Sequence, residues 1–171
     1  MHVTLLKATD AMMYRRLMLQ AYELAADAFT STAEERAAEP ETFWMKRVAD
    51  PTGLEAAFGA FDGHDLVATV ALQFSGKPKT KHKAKIIGMF VDSKVRGLGI
   101  GRALLEAAIT YAEAKESVLQ LTLTVTEGNE PAISLYKSMG FQTFGLEPMA
   151  ILTPDGYKAK IHMWRSIQRK P

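Results

Sequence analysis

Residues 85–105 read KIIGMFVDSKVRGLGIGRALL, and this stretch constrains the chain more than any other. An apolar, strand-like run from Ile86 to Val91 meets the polar turn Asp92-Ser93-Lys94. Arg96-Gly97-Leu98-Gly99-Ile100-Gly101 then opens directly into a helical pattern. Strand, glycine-rich turn and helix together present a row of backbone N–H groups to an anion. The first N–H groups of a helix have no partner inside it, and the helix dipole favours negative charge there. Glycines at 97, 99 and 101 remove side chains that would hold a phosphate away. Arg96 and Arg102 flank the turn and can add charge-assisted hydrogen bonds. The stretch reads as a pyrophosphate cradle.

The dinucleotide fingerprint G-x-G-x-x-G fails, because counting from Gly97 its last position is Arg102. The Gly-Lys-Ser/Thr of a phosphate-binding P-loop is missing as well. What fits is Arg-x-x-Gly-x-Gly after an apolar strand, which resembles the acetyl-CoA motif of the GNAT superfamily of N-acetyltransferases. Taken alone, the glycines also suit an ordinary tight strand-to-helix turn. A second segment, some 28 residues after Gly101, strengthens the likeness: Asn129-Glu130-Pro131-Ala132-Ile133-Ser134-Leu135-Tyr136-Lys137-Ser138-Met139-Gly140-Phe141. It is similar to the family segment N-x-x-A-I-x-L-Y-x-x-x-G-F at every fixed position. The resemblance is close over residues 85–145 and elsewhere rests on the order of elements.

That resemblance implies an α/β (α+β) fold: a mixed central sheet of about seven strands with helices on both faces, in the order β-α-α-β-β-β-α-β-α-β-β. It implies an acetyl-CoA-dependent N-acetyltransferase in which an amine attacks the thioester directly; a non-catalytic acyl-CoA-binding module is the other reading. The central strand (Lys85 to Val91) and the next one (Val118 to Thr126) would splay apart. Pantetheine would then pair with main-chain groups near Met89, Phe90 and Val91, one of whose N–H groups polarises the thioester carbonyl. Pyrophosphate would sit on Arg96, Gly97, Leu98, Gly99, Ile100, Gly101 and Arg102. From the second segment, Asn129, Ala132, Tyr136 and Lys137 would contact CoA. Tyr136 matches the tyrosine that faces the sulfur and donates a proton to the leaving thiolate; it also reads as a packing residue against Ala132, Leu135 and Met139. Asn129 would hold the pantetheine arm or cap the helix. Some family members place a glutamate base on the preceding strand. Thr124 stands at that position and cannot take a proton, and Glu127 is the nearest carboxylate in sequence.

The remainder of the chain is compatible with that plan. A length of 171 residues suits one domain, 1–171, with a proper core. No run of eighteen apolar residues suggests a membrane span, and MHVTLLKATD reads as a strand and helix cap, not a signal peptide. With no cysteine there is neither a disulfide nor a cysteine acyl-enzyme, which is compatible with the cytoplasm. His2, His64, His82 and His162 show no ligand spacing, so no metal is expected.

Met13, Leu17, Ala21 and Leu24 recur at helical spacing, and an acidic segment from Ala33 to Glu41 precedes a second helix, TFWMKRVAD. Phe29, Phe43 and Trp44 either line an acceptor pocket or fill the core. Apolar runs Leu54–Phe61 and Leu66–Phe74 around Asp62-Gly63-His64-Asp65 read as a hairpin. Arg102 and Glu106 are spaced to pair along the helix from Gly99 to Lys115. Phe141–Leu152 and Tyr157–Ile167 read as a closing hairpin; in the resembled family such exposed final strands often mediate homodimers, and the chain itself leaves its oligomeric state open.

Charge is unevenly distributed. Residues 1–75 carry 6 Lys/Arg and 11 Asp/Glu, whereas residues 76–171 carry 15 and 8. The acidic half would supply part of the acceptor pocket, which suggests a cationic amine from a small molecule or peptide. The lysines of residues 76–85 form a solvated loop or an anion-steering patch. They lack the interleaved aromatics of a nucleic-acid surface.

Overall fold

The computed structural model describes residues 1–168. Seven strands form one sheet in the order β1-β2-β3-β4-β5-β7-β6. They are β1 (His2–Leu5), β2 (Glu55–Asp62), β3 (Asp65–Phe74), β4 (Lys83–Val91), β5 (Gln120–Thr126), β6 (Gln142–Thr153) and β7 (Gly156–Ser166). The helices are α1 (Ala11–Leu24), α2 (Ala33–Ala37), α3 (Glu41–Ala49), α4 (Ile100–Glu113) and α5 (Glu130–Ser138). The expected mixed sheet is present, with helices on both faces. α2 is an addition to the expected order, inside the segment read only as acidic. Its start is a capping box: Thr32 Oγ1 accepts from the Glu35 N–H, and the Glu35 carboxylate accepts from the Thr32 N–H.

Two cores sandwich the sheet. On one face Ile100, Leu104, Leu105, Ala108, Ile109 and Ala112 of α4, with Ile133 and Tyr136 of α5, cover Ala84, Ile86, Leu121, Leu123, Val125 and Met163. On the other, Tyr14, Leu17, Met18 and Ala21 of α1, with Trp44 and Val48 of α3, cover Ala57, Ala71 and Phe90. The apolar spacings of α1 and α4 produce these single buried stripes. Trp44 belongs to this second core, edge-on to Tyr14 and Phe43.

Two irregularities in the sheet position the site. Among the described residues β4 and β5 are its only parallel neighbours, and they pair at Lys83↔Gln120, Ala84↔Leu121 and Lys85↔Thr122 before separating. β4 also carries a bulge against β3: Thr69 pairs with Phe90 but Ala71 pairs with Ile87, so Gly88 and Met89 together oppose Val70. Gly88 has φ +59°, a conformation open to glycine and strained for other residues. The extra residue reverses the alternation of the strand. Ile86 and Met89 pack toward α4, whereas Ile87 and Phe90 pack toward α1.

Candidate active site

The separation of β4 from β5 opens a cleft of about 790 Å³. β4 lines one wall from Lys85 to Val91, and β5 lines the other from Leu123 to Thr126. The turn before α4 closes one end. Leu24, Ala25, Ala28, Phe29 and Thr30, from the end of α1 and the loop after it, close the opposite side of the sheet.

The turn is held in place by its own side chains. The Asp92 carboxylate accepts from the Lys94 N–H at 3.0 Å and from Gln20 Nε2 at 3.1 Å. These bonds, the Lys94 one foremost, hold the Asp92 carboxyl below its ordinary range. Arg96 Nε donates to the Val91 carbonyl at 3.0 Å, folding the chain back over the strand end. Gly97 and Gly99 both have φ +78°, and a Cβ on either would stand in open space. Among the described residues, none of the N–H groups of residues 97–102 is donated to a backbone or side-chain acceptor. Ala103 is the first to return into the helix, to the Gly99 carbonyl at 3.1 Å. Six consecutive amides are therefore available at the mouth of the cleft, on the positive end of α4.

α5 brings Tyr136 to the middle of the cleft. Asn129 caps this helix, its side-chain oxygen accepting from the Ala132 N–H at 3.4 Å, and Pro131 fits the first turn. The other end is a Schellman cap. The Phe141 N–H donates to the Tyr136 carbonyl and the Gly140 N–H to that of Lys137, with Gly140 at φ +85°. This is the physical reason for glycine and phenylalanine four and five residues after the tyrosine: the cap folds Phe141 back against the Tyr136 ring, centroids 6.1 Å apart. The Tyr136 hydroxyl donates to Met89 Sδ at 3.5 Å, across the cleft at the bulge. Burial pushes the phenol up to about 12.

Of the residues singled out by sequence, Met89, Phe90, Val91, Arg96, Gly97, Gly99, Ile100, Gly101, Arg102, Asn129, Ala132 and Tyr136 all line this cleft, as does Thr124. Leu98 and Lys137 are exposed and lie outside the lining. Arg102 does not pair with Glu106. It reaches across to the end of α5, donating to Ser138 Oγ at 2.8 Å and Met139 Sδ at 3.1 Å, because those acceptors complete the wall between α4 and α5. Phe29 lines the cleft and Phe43 does not.

The acidic residues of the first half stand beside the main cleft and not in its lining. Glu23, Asp27 and Glu127 line an adjoining hollow of about 490 Å³ that shares Leu24, Ala25, Ala28, Thr126 and Asn129 with the cleft, and Asp27 there pairs with Lys158. The main cleft is lined by Lys85, Arg96, Arg102 and Lys160 and by no carboxylate. Sequence reasoning passed over the Gly88 bulge and Lys160. A lone glycine inside an apolar strand is a bulge signal. A lysine in a strand gives no sign of facing inward. Among the described residues, no group of three or more His, Asp or Glu side chains is placed to hold a metal, and no helix is long and apolar enough to cross a membrane.

Comparison with known proteins agrees with this geometry. The model of the acetyltransferase (GNAT) family matches residues 18–141. An L-amino acid N-acetyltransferase of Escherichia coli, AaaT, is 32% identical over 122 residues, which span 71% of this chain and 74% of that protein. The peptidyl-lysine N-acetyltransferase YjaB of the same organism is 42% identical over 57 residues, spanning 33% of this chain and 35% of its own. The crystal structure of a GNAT acetyltransferase from Streptococcus pneumoniae superposes with a TM-score of 0.81 at 22% identity, covering 97% of this chain and 99% of that one. The seven-stranded sheet parted at β4 and β5, the row of free amides before α4 and the family match make this chain a member of the GNAT family of acetyltransferases.

Proposed function

We propose that this protein transfers an acetyl group from acetyl-CoA to the free amine of a small molecule or peptide. One observation carries the reading: the row of unengaged amides at 97–102 and the Tyr136 hydroxyl open onto the same cleft. The space that a side chain at Gly97 or Gly99 would occupy is open, so the backbone can approach a diphosphate closely. Arg96, at the same turn, adds positive charge.

The co-substrate supplies an activated acetyl thioester; when an amine attacks, a C–N bond forms and the C–S bond breaks. The chain supplies three things around that exchange. Main-chain groups of β4 from Gly88 to Val91, unpaired on the side facing the parted β5, align the pantetheine arm and donate to the carbonyl oxygen as charge gathers on it. Tyr136, whose burial keeps it protonated at neutral pH, gives its proton to the departing sulfur. The proton lost by the amine leaves through water, since Thr124 in the β5 wall cannot accept it.

Isothermal titration with acetyl-CoA, followed by thiol release with a panel of amines, tests the proposal. Binding with release is the expected result. Binding without release from any amine would leave a non-catalytic module, and no binding at high micromolar ligand would overturn the reading altogether.

A further inference from the structure

Among the described residues, Lys160 is the one charged residue that is buried, at 5% exposure. Its place follows from strand alternation. Ile161 and Met163 of β7 pack toward α4 and α5, so Lys160, next to Ile161 on the strand, faces the opposite side. There it stands across from Thr126 at the end of β5 and lines the cleft. Lys85 reaches the same side, since its neighbours Ala84 and Ile86 pack toward α4. Lys85 is also the last β4 residue still paired with β5, opposite Thr122, so it stands where the strands part, while Lys160 stands four β5 residues further on, opposite Thr126, and both line the cleft.

The surroundings of Lys160 are short of negative charge. Its Nζ donates to the Ala28 carbonyl at 3.2 Å, its only hydrogen bond to a described residue. Burial and the nearby charge of Lys85 both lower its affinity for a proton. Glu147 opposes them, but that carboxylate is engaged at 2.9 Å with His162 Nε2. Among the described residues no carboxylate lines the cleft; Glu23 and Asp27 line the adjoining hollow, where Asp27 is paired with Lys158. An ammonium has three donors, and a buried charge left incompletely paired is costly. Two cations lining one cleft beside Thr124 and Thr126, with hydrogen-bonding capacity to spare on Lys160, form an anion site.

We propose that Lys160, assisted by Lys85, anchors a carboxylate carried by the acceptor, so that the amine acetylated belongs to an amino-carboxylate and not to a polyamine or an amidated peptide. This rests on the acetyl-transfer reading above. It assigns to the cleft a preference opposite to the one inferred from the acidic half of the sequence. The carboxylate completes the hydrogen bonding of Lys160 and orients the amine toward the thioester. An acceptor without it leaves the ammonium buried and unpaired.

The test measures CoA release at saturating acetyl-CoA for free L-amino acids, their carboxamides and spermidine. Free acids should exceed their amides by roughly 10- to 100-fold in kcat/KM, the value of a hydrogen bond to a charged group. In Lys160→Met the acid-over-amide ratio should fall to near one, chiefly through KM, and Lys160→Arg should restore part of it. Lys85→Met, at an exposed position, gives a second reading with little risk to folding, and should lower the ratio by a smaller factor. Amides or spermidine serving as well as the acids would overturn the anchor while leaving acetyl transfer intact. An equal fall in kcat for acids and amides on Lys160→Met would place Lys160 on the proton path and also overturn it. If no amine of any kind, peptides included, gives release, both readings fall together.

Discussion

Tyr136 illustrates how one side chain is prepared by its cap, its strand and its burial. The Schellman turn fixes the ring against Phe141, the bulge brings Met89 under the hydroxyl, and burial holds the proton on oxygen. Tyr136→Phe removes the hydroxyl and keeps the ring. kcat should fall by roughly 100-fold, as expected for loss of a positioned general acid. The dissociation constant for acetyl-CoA should stay within about twofold, because a hydroxyl bonded only to a thioether contributes little to binding. Stopped-flow thiol detection and calorimetry separate the two effects. The raised phenol also has a stability signature. A folded-state pKa above that of the unfolded chain contributes stability that is intact below about pH 10 and is lost as the pH climbs from there through about 12. Denaturant midpoints over that window should fall more steeply for the parent than for Tyr136→Phe. Tyr136 was legible in the sequence because its motif spaces it from a helix cap at one end and a glycine at the other. Lys160 was not. Its chemistry comes from register with Thr126 and from the carbonyl of Ala28, contacts more than thirty residues away along the chain.

At the scale of elements, the glycines of the turn before α4 are not equivalent. Gly99 caps the helix at φ +78° with free space around a would-be Cβ, so Gly99→Ala strains the backbone by about 1–2 kcal/mol without a clash. Its melting temperature should drop by about 2–8 °C. Acetyl-CoA should bind roughly tenfold more weakly, because relaxing the turn re-aims the amides. Gly101 is already helical. A Cβ there would meet Leu135 Cδ2 and Met89 Cε, each at 3.2 Å, both flexible ends that can yield. Helix propensity favours alanine by about 1 kcal/mol and offsets that crowding, so Gly101→Ala should melt within about 2 °C of the parent. Scanning calorimetry on the two variants decides the contrast. Much at this scale could be read in advance: the strand, turn and helix of residues 85–105, both hairpins and the capped α5 are local patterns. The exceptions were also local signals, passed over in favour of composition. Thr32-x-x-Glu35 is a capping box that announces α2, hidden in a run read as acidic. Gly88 announces the bulge, hidden in a run read as continuously apolar.

Across the whole molecule the decisive asymmetry is electrostatic. The chain divides into an acidic first part and a basic second part, and the fold does not blend them over the cleft. β4, the α4 turn and β7 all belong to the basic part and direct Lys85, Arg96, Arg102 and Lys160 to one opening, while Glu23 and Asp27 of the acidic part line the adjoining hollow with Glu127 and Lys158. A ligand that carries phosphates therefore approaches a cleft of uniform sign. Its association should be steered by the field, while its grip depends mostly on short hydrogen bonds to the backbone. Raising salt from about 50 to 500 mM shortens the screening length severalfold. The association rate for acetyl-CoA should then fall by roughly tenfold. The dissociation rate should change less than threefold if, as proposed, the amides of residues 97–102 hold the ligand, since bonds that short are not screened by salt. Reversing one charge at the rim without touching those amides, as in Arg102→Glu, should lower the association rate at low salt and flatten its salt dependence. Stopped-flow binding at several ionic strengths measures both slopes. A dissociation rate that rises with salt as steeply as the association rate falls would mean that charge, and not the backbone cradle, holds the ligand.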